Sequence, residues 1–178
     1  DQFDFHFHVS RKKQKTRILD LMDISFLSQK KDVLFIGNTG LGKSFLAKCI
    51  AFAATQRGIK TLFTNAMDMI NLLTAADVDR SLYKKLRDYQ TPDLLIIDEL
   101  SYLTFNRYQS EMLFQIISER SERASVIIST NLEFSQWTQL FENEMLLAAL
   151  IDRVTFRSFV LNMNCSSSYR IDSTLNHD

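Results

Sequence analysis

Three of the chain's four glycines, Gly37, Gly40 and Gly42, fall within six residues of one another. Glycine loses more conformational freedom on folding than any other residue, so such clustering marks backbone that turns tightly or approaches a ligand closely. The segment reads GNTGLGKS over 37–44 and meets the pattern G-x-x-x-x-G-K-[ST] at every fixed position. Its context agrees, because DVLFI before it has strand character and SFLAKCIAFAA after it has helix character. The pattern therefore predicts a phosphate-binding loop. Main-chain amides of Gly37, Asn38, Thr39, Gly40, Leu41 and Gly42 form the anion nest, and a helix starting near Lys43 adds its positive dipole end. Lys43 is placed to reach the β- and γ-phosphates, Ser44 to ligate Mg²⁺, and Phe45 to continue the site into the helix. The expected ligand is ATP with Mg²⁺.

A phosphate loop needs a carboxylate to hold the metal. LLIIDE at 94–99 ends an apolar run with Asp98 and Glu99, and the run is apolar on both faces, as a central parallel strand requires. Ligands bind at the carboxyl ends of such strands, so Asp98 is assigned to Mg²⁺ on the strand adjoining the loop, and Glu99 to the attacking water. Carboxylates often simply end strands, and the pair gains its meaning from the loop. A third strand-like run, SVIISTN at 125–131, ends in Asn131, whose amide suits a γ-phosphate or the lytic water; the alternative is a cap for a helix beginning around Phe134.

Strand patterns near Asp32–Ile36, Thr61–Thr64, Asp93–Asp98, Ser125–Ser129 and Ser158–Met163 alternate with amphipathic stretches. One of these, Asn106–Arg120, sets Tyr108, Met112, Leu113, Ile116 and Ile117 on one face. The alternation predicts an α/β fold with a five-stranded parallel sheet flanked by helices. Residues 1–30 are less regular and are expected to wrap onto a core over 31–178. The chain begins with Asp1, and an upstream domain is expected. No apolar run is long enough to span a membrane. The two cysteines, Cys49 and Cys165, lack disulfide or metal spacing, which fits a reducing, cytoplasmic setting, with Cys49 read as a core thiol.

With these elements in order, the chain resembles AAA+ ATPases and looks like the IstB and DnaC group, IstB transposition helpers above all. The resemblance is carried by FDF at 3–5, GNTGLGKSFLA at 37–47, PDLLIIDELSYL at 92–103, LFQIISERSERASVIISTN at 113–131, FSQW at 134–137, LIDR at 150–153 and SYR at 168–170. It implies an ATPase that assembles as a ring or helical oligomer on double-stranded DNA with little sequence preference and assists a transposase. By the same resemblance Asn131 is the sensor position and Arg153 the arginine finger acting on a neighbouring subunit. Arg157 is the second choice, Arg170 is a further nucleotide-facing candidate, and an ion pair of Arg153 with Asp152 is the structural alternative. Ser101 and Thr39 stand where the family commonly has Gly and Pro, and neither removes a chemical group. Only about fifteen residues follow the last strand, too few for the helical lid of most AAA+ proteins.

With 21 basic and 21 acidic residues the formal charge is zero, so DNA contact requires charge gathered on one face. Two stretches offer this: the run around Lys12 and Lys13, and the i, i+4, i+7 stripe of Arg80, Lys84 and Arg87. Asp4, His6 and His8 share a face of an extended segment but lack a third strong ligand. Phe3, Phe5 and Phe7 are better read as packing. Other readings of the phosphate loop are a helicase loader, a nucleotide-gated scaffold without turnover, and a small-molecule kinase, which would need an acceptor pocket and basic lid that the sequence lacks.

Overall fold

The apolar runs become strands: β1 (Asp32–Ile36), β2 (Thr61–Asn65), β3 (Leu94–Asp98), β4 (Ser125–Thr130) and β5 (Ser158–Asn162). The computed structural model describes residues 9–101 and 104–164, with side chains from residue 15 onward. Among these, the five strands form one sheet in the order β2-β3-β4-β1-β5, and every pairing is parallel. The expected fold class holds, with strand ends displaced by no more than a residue. One expectation is corrected: β3 does not adjoin β1, because β4 lies between them.

Among the described residues α1 (Val9–Met22) precedes the sheet, and α2 (Lys43–Gln56), α3 (Ala66–Val78), α4 (Leu82–Gln90), α5 (Arg107–Arg120) and α6 (Glu144–Thr155) lie between strands. Successive strand residues point to opposite faces, and two buried clusters result. Leu34, Ile36, Leu95, Ile97 and Ile128 face α3, α4, α5, α6 and the 3-10 helix Phe134–Gln139. Val33, Phe35, Leu94, Ile96 and Ile127 face α1 and α2. Every residue of β3 is buried, as the two-sided apolar run required.

Residues 15–30 are more regular than the sequence suggested, since α1 buries Ile18 and Leu21 against the α2 face of the sheet. Helix α5 starts on a reciprocal cap, Gln109 N donating to Asn106 Oδ1 at 2.9 Å and Asn106 N to Gln109 Oε1 at 3.1 Å. Tyr108 departs from the face on which Met112, Leu113, Ile116 and Ile117 are buried. It lies in the first turn of α5, 44% exposed. Cys49 is only partly buried, and burial raises its thiol pKa.

At the amino edge of the sheet lies Arg120, 1% exposed. Its guanidinium donates to Tyr89 O at 3.0 Å, Gln90 O at 3.1 Å and Ser125 O at 2.8 Å, tying the ends of α4 and α5 to the start of β4. Nearby, Asp32 Oδ1 accepts from Val126 N at 2.7 Å. Burial pushes the Asp32 carboxyl up to about 6, against the opposing pull of that amide and the Arg120 charge. A carboxyl raised in the folded state binds a proton more readily there than in the unfolded chain. Its stabilisation is full below its ordinary value and is lost as pH rises through the folded one. Asn in place of Asp32 keeps the acceptor without the charge. Urea unfolding should therefore show the stability of Asp32→Asn rising relative to the parent between about pH 4 and about pH 7, by up to about 3 kcal/mol. A difference that does not change with pH would contradict this account.

Candidate functional site

Parallel strands deliver their carboxyl ends to one edge, and the sequence-predicted residues meet there. Residues 37–42 leave β1 and turn into α2, with Gly42 at φ 89°, a conformation that side chains rarely adopt. Gly37 is required for another reason: a Cβ there would lie 3.0 Å from Leu41 Cδ1 and 3.1 Å from the main-chain carbon of Met163. The loop is fastened on both sides, by Gly37 N to Thr130 O at 3.1 Å and by Met163 N to Ile36 O at 2.6 Å. Lys43 Nζ turns back and donates to Gly37 O and, at 2.9 Å, to Asn38 O. Its ammonium thus sits over the concave side of the loop where an anion would compete for it. Leu41 is buried, whereas Asn38, Thr39 and Phe45 are exposed.

Ser44 Oγ donates to Asp98 Oδ1 at 3.0 Å. That bond crosses over β4, and the side chain on β4 beneath it is Ser129, whose hydroxyl also donates to Asp98 Oδ1. Ser129 Oγ accepts in turn from Glu99 N at 2.9 Å. Asp98 is 6% exposed and Ser129 is fully buried, so the carboxylate has two hydroxyl donors in place of water. The donor set fits a hard divalent cation, because a hydroxyl and a carboxylate oxygen already converge beside an anion nest.

Glu99 leaves the strand at φ 58°, a left-handed conformation uncommon outside glycine. That turn exposes its carboxylate at the edge, where Oε2 accepts from Asn65 Nδ2 at 3.0 Å. Sequence reading missed Asn65. It ends β2 directly opposite Asp98 and caps α3 by accepting from Met67 N at 2.8 Å. The available signal was an Asn closing a strand at the carboxyl edge. Ser129 was likewise passed over as a member of the strand rather than of the site.

Asn131 follows β4, which lies between β1, the strand that leads into the loop, and β3, which ends at Asp98. It is not the cap of the following helix, because the N-cap position belongs to Glu133. Arg153 is exposed near the end of α6, and no ion pair with Asp152 exists among the described residues. Arg157 is exposed in the turn before β5.

The basic stripe needs correction. Arg80 lies outside any helix, at φ 57° between α3 and α4, so it is not one of three residues on a continuous helix face. Lys84 and Arg87 do share α4 and are exposed, with the Arg87 guanidinium 6.0 Å from the Tyr83 ring centre. Lys12 and Lys13 belong to α1, with their side chains outside the described residues. Since α1 and α4 cover opposite faces of the sheet, the fold does not merge the two basic stretches. The readings placed on Phe3, Asp4, Phe5, His6, Phe7, His8, Cys165 and Arg170 lie outside the described residues. No described helix is long and apolar enough to cross a membrane.

Comparison with known proteins gives the family and the fold. The family model described as IstB-like ATP binding protein matches residues 1–176. The ATP-binding protein of insertion sequence IS5376 from Geobacillus stearothermophilus is 38% identical over 171 residues, which cover 96% of this chain and 67% of the relative. Among solved structures, DnaI superposes with a TM-score of 0.77 at 17% identity, covering 95% of this chain and 88% of that one. The DnaC helicase loader superposes with a TM-score of 0.72 at 22% identity, covering 87% and 90%. At these identities the two structures show the shared fold, an AAA+ core in which no helix follows β5 among the described residues.

Proposed function

Because the chain belongs to the family of IstB-like ATP binding proteins, we propose that it binds ATP with Mg²⁺ at this edge, hydrolyses it, and uses the nucleotide cycle to govern assembly on double-stranded DNA in support of a transposase. The observation that carries the reading is the Ser44–Asp98 hydrogen bond with Glu99 beside it. It brings a metal-ligating hydroxyl and carboxylate together below the loop and sets a second, exposed carboxylate one residue away. Mg²⁺ bound by Ser44 and Asp98 supplies charge neutralisation on the phosphate oxygens.

The chain's own groups divide the remaining work. Lys43 exchanges the carbonyls of Gly37 and Asn38 for phosphate oxygens, a short movement because the ammonium already lies over the loop. Glu99 orients and polarises the attacking water, and its bond to Asn65 limits where the carboxylate can point. Asn131, just past the end of β4, offers an amide to the terminal phosphate. Arg153 is exposed and free of Asp152, as an arginine acting on a neighbouring subunit's nucleotide must be. DNA contact is assigned to the exposed Arg80, Lys84 and Arg87 and to Lys12 and Lys13 of α1. Phosphate contacts of this kind give salt-sensitive binding with little base readout, and repetition around an assembly multiplies modest patches. The insertion-sequence names of the relatives support the transposase part. The chain spans about two thirds of the length of the relative it matches, so the partner belongs to the proposal as well.

Glu99→Gln should retain ATP binding while turnover falls at least about a hundredfold. Equal turnover in both proteins would reject the role given to Glu99. For Arg153, mixtures of Arg153→Ala and Lys43→Ala subunits should recover part of the activity that each lacks alone. Recovery requires one intact loop and one intact arginine at a shared interface. No recovery at any mixing ratio would reject action in trans.

A further inference from the structure

Side-chain hydrogen bonds tie the phosphate loop to a segment that the roles above leave unused. Asn38 N donates to Asn164 Oδ1 at 3.0 Å. Asn164 Nδ2 donates to Glu133 Oε1, and Asn162 Nδ2 donates to the same oxygen at 2.8 Å. Asn164 N is itself held by Asn162 Oδ1 at 3.0 Å.

The chemistry of these groups gives the arrangement a direction. A primary amide has a donor end and an acceptor end, and its neighbours decide which way it faces. An ionised carboxylate only accepts. Glu133 therefore holds the nitrogen of Asn164 and leaves the oxygen for Asn38 N. The main-chain pairing of β1 with β5 ends at Ile36 and Asn162, with Met163 N on Ile36 O as its last bond. Beyond that point the loop turns away, and the Asn164 side chain supplies one more rung. Glu133 lies two residues past Asn131, so the same contact links the loop to the segment that follows β4.

We propose that Asn164, oriented by Glu133, is a positioning residue that sets nucleotide affinity by fixing the first turn of the phosphate loop. The inference rests on the reading of residues 37–44 as a nucleotide site. Lys43 and Asn164 hold the two sides of Asn38, its carbonyl and its amide. When Lys43 turns to a phosphate, its hold on Asn38 is given up and Asn164 keeps the turn in place. Neither Asn164 nor Glu133 contacts the reacting atoms in this role. Their loss acts on ground-state binding of triphosphate and diphosphate alike, and leaves the chemical step alone.

The test is titration of the full chain with fluorescent ADP and ATP analogues, alongside steady-state ATP hydrolysis and thermal unfolding. Asn164→Ala should weaken both nucleotides and raise KM about three- to tenfold, with kcat within about twofold, the range expected for one hydrogen bond. Its melting temperature should match the parent's. Asn164→Asp should weaken binding further, because two carboxylates then meet, and adding Glu133→Gln should restore it by giving the pair one donor and one charge again. The proposal is overturned by unchanged affinity in Asn164→Ala, by failure of Glu133→Gln to relieve Asn164→Asp, or by an affinity loss that tracks a lowered melting temperature. A parent chain that binds neither nucleotide would remove the site itself and this role with it. The parent titration distinguishes that result from a failure of Asn164 alone.

Discussion

The contact on which the site depends spans a strand. Ser44 lies in the first turn of the helix after β1, Asp98 closes β3, and β4 runs between them, yet hydroxyl and carboxylate meet at 3.0 Å. The small side chain of Ser129 makes this possible. It is fully buried beneath the bond, fills the gap with a hydroxyl of its own, and bonds both Asp98 and the amide of Glu99. A bulkier residue at 129 would hold Ser44 and Asp98 apart and leave Glu99 N without its acceptor. Helix α2 and the strands β3 and β4 thus contribute one side chain each to a single small network, and Asn65 extends it to β2.

The two edges of the sheet are built for different purposes. At the carboxyl edge the backbone accepts unusual conformations, at Gly42 and at Glu99, so that amides and a carboxylate face a ligand. At the amino edge Arg120 satisfies three carbonyls and Asp32 one amide. Burial raises the Asp32 carboxyl and lowers the Arg120 guanidinium to about 10, the response of opposite charges taken partly out of water. The loop is held at the carboxyl edge by Thr130 of β4, Asp98 of β3 and Asn164 just past β5.

Much of this was legible in the residues because it is local. A glycine cluster between a strand pattern and a helix pattern, and an all-apolar run ending in Asp-Glu, carry their structural meaning within a few positions. What was not legible depends on neighbours far apart in sequence. The apolar run of β3 announced a central strand but not that β4 would separate it from β1. Ser129 and Asn65 read as ordinary strand-end residues until pairing placed them beside Asp98 and Glu99. The stripe of Arg80, Lys84 and Arg87 followed helical spacing, but the turn at Arg80 interrupts the helix. Asn164 and Glu133 are 31 residues apart and meet only because β5 lies beside β1.

All of these assignments presuppose that residues 37–44, Asp98 and Glu99 form one nucleotide site. Isothermal calorimetry of the chain with Mg-ATP, run beside Lys43→Ala, tests that most directly. The account predicts saturable binding of one nucleotide per chain, with the heat abolished in Lys43→Ala. No heat in the parent, or the same heat in both proteins, would contradict it.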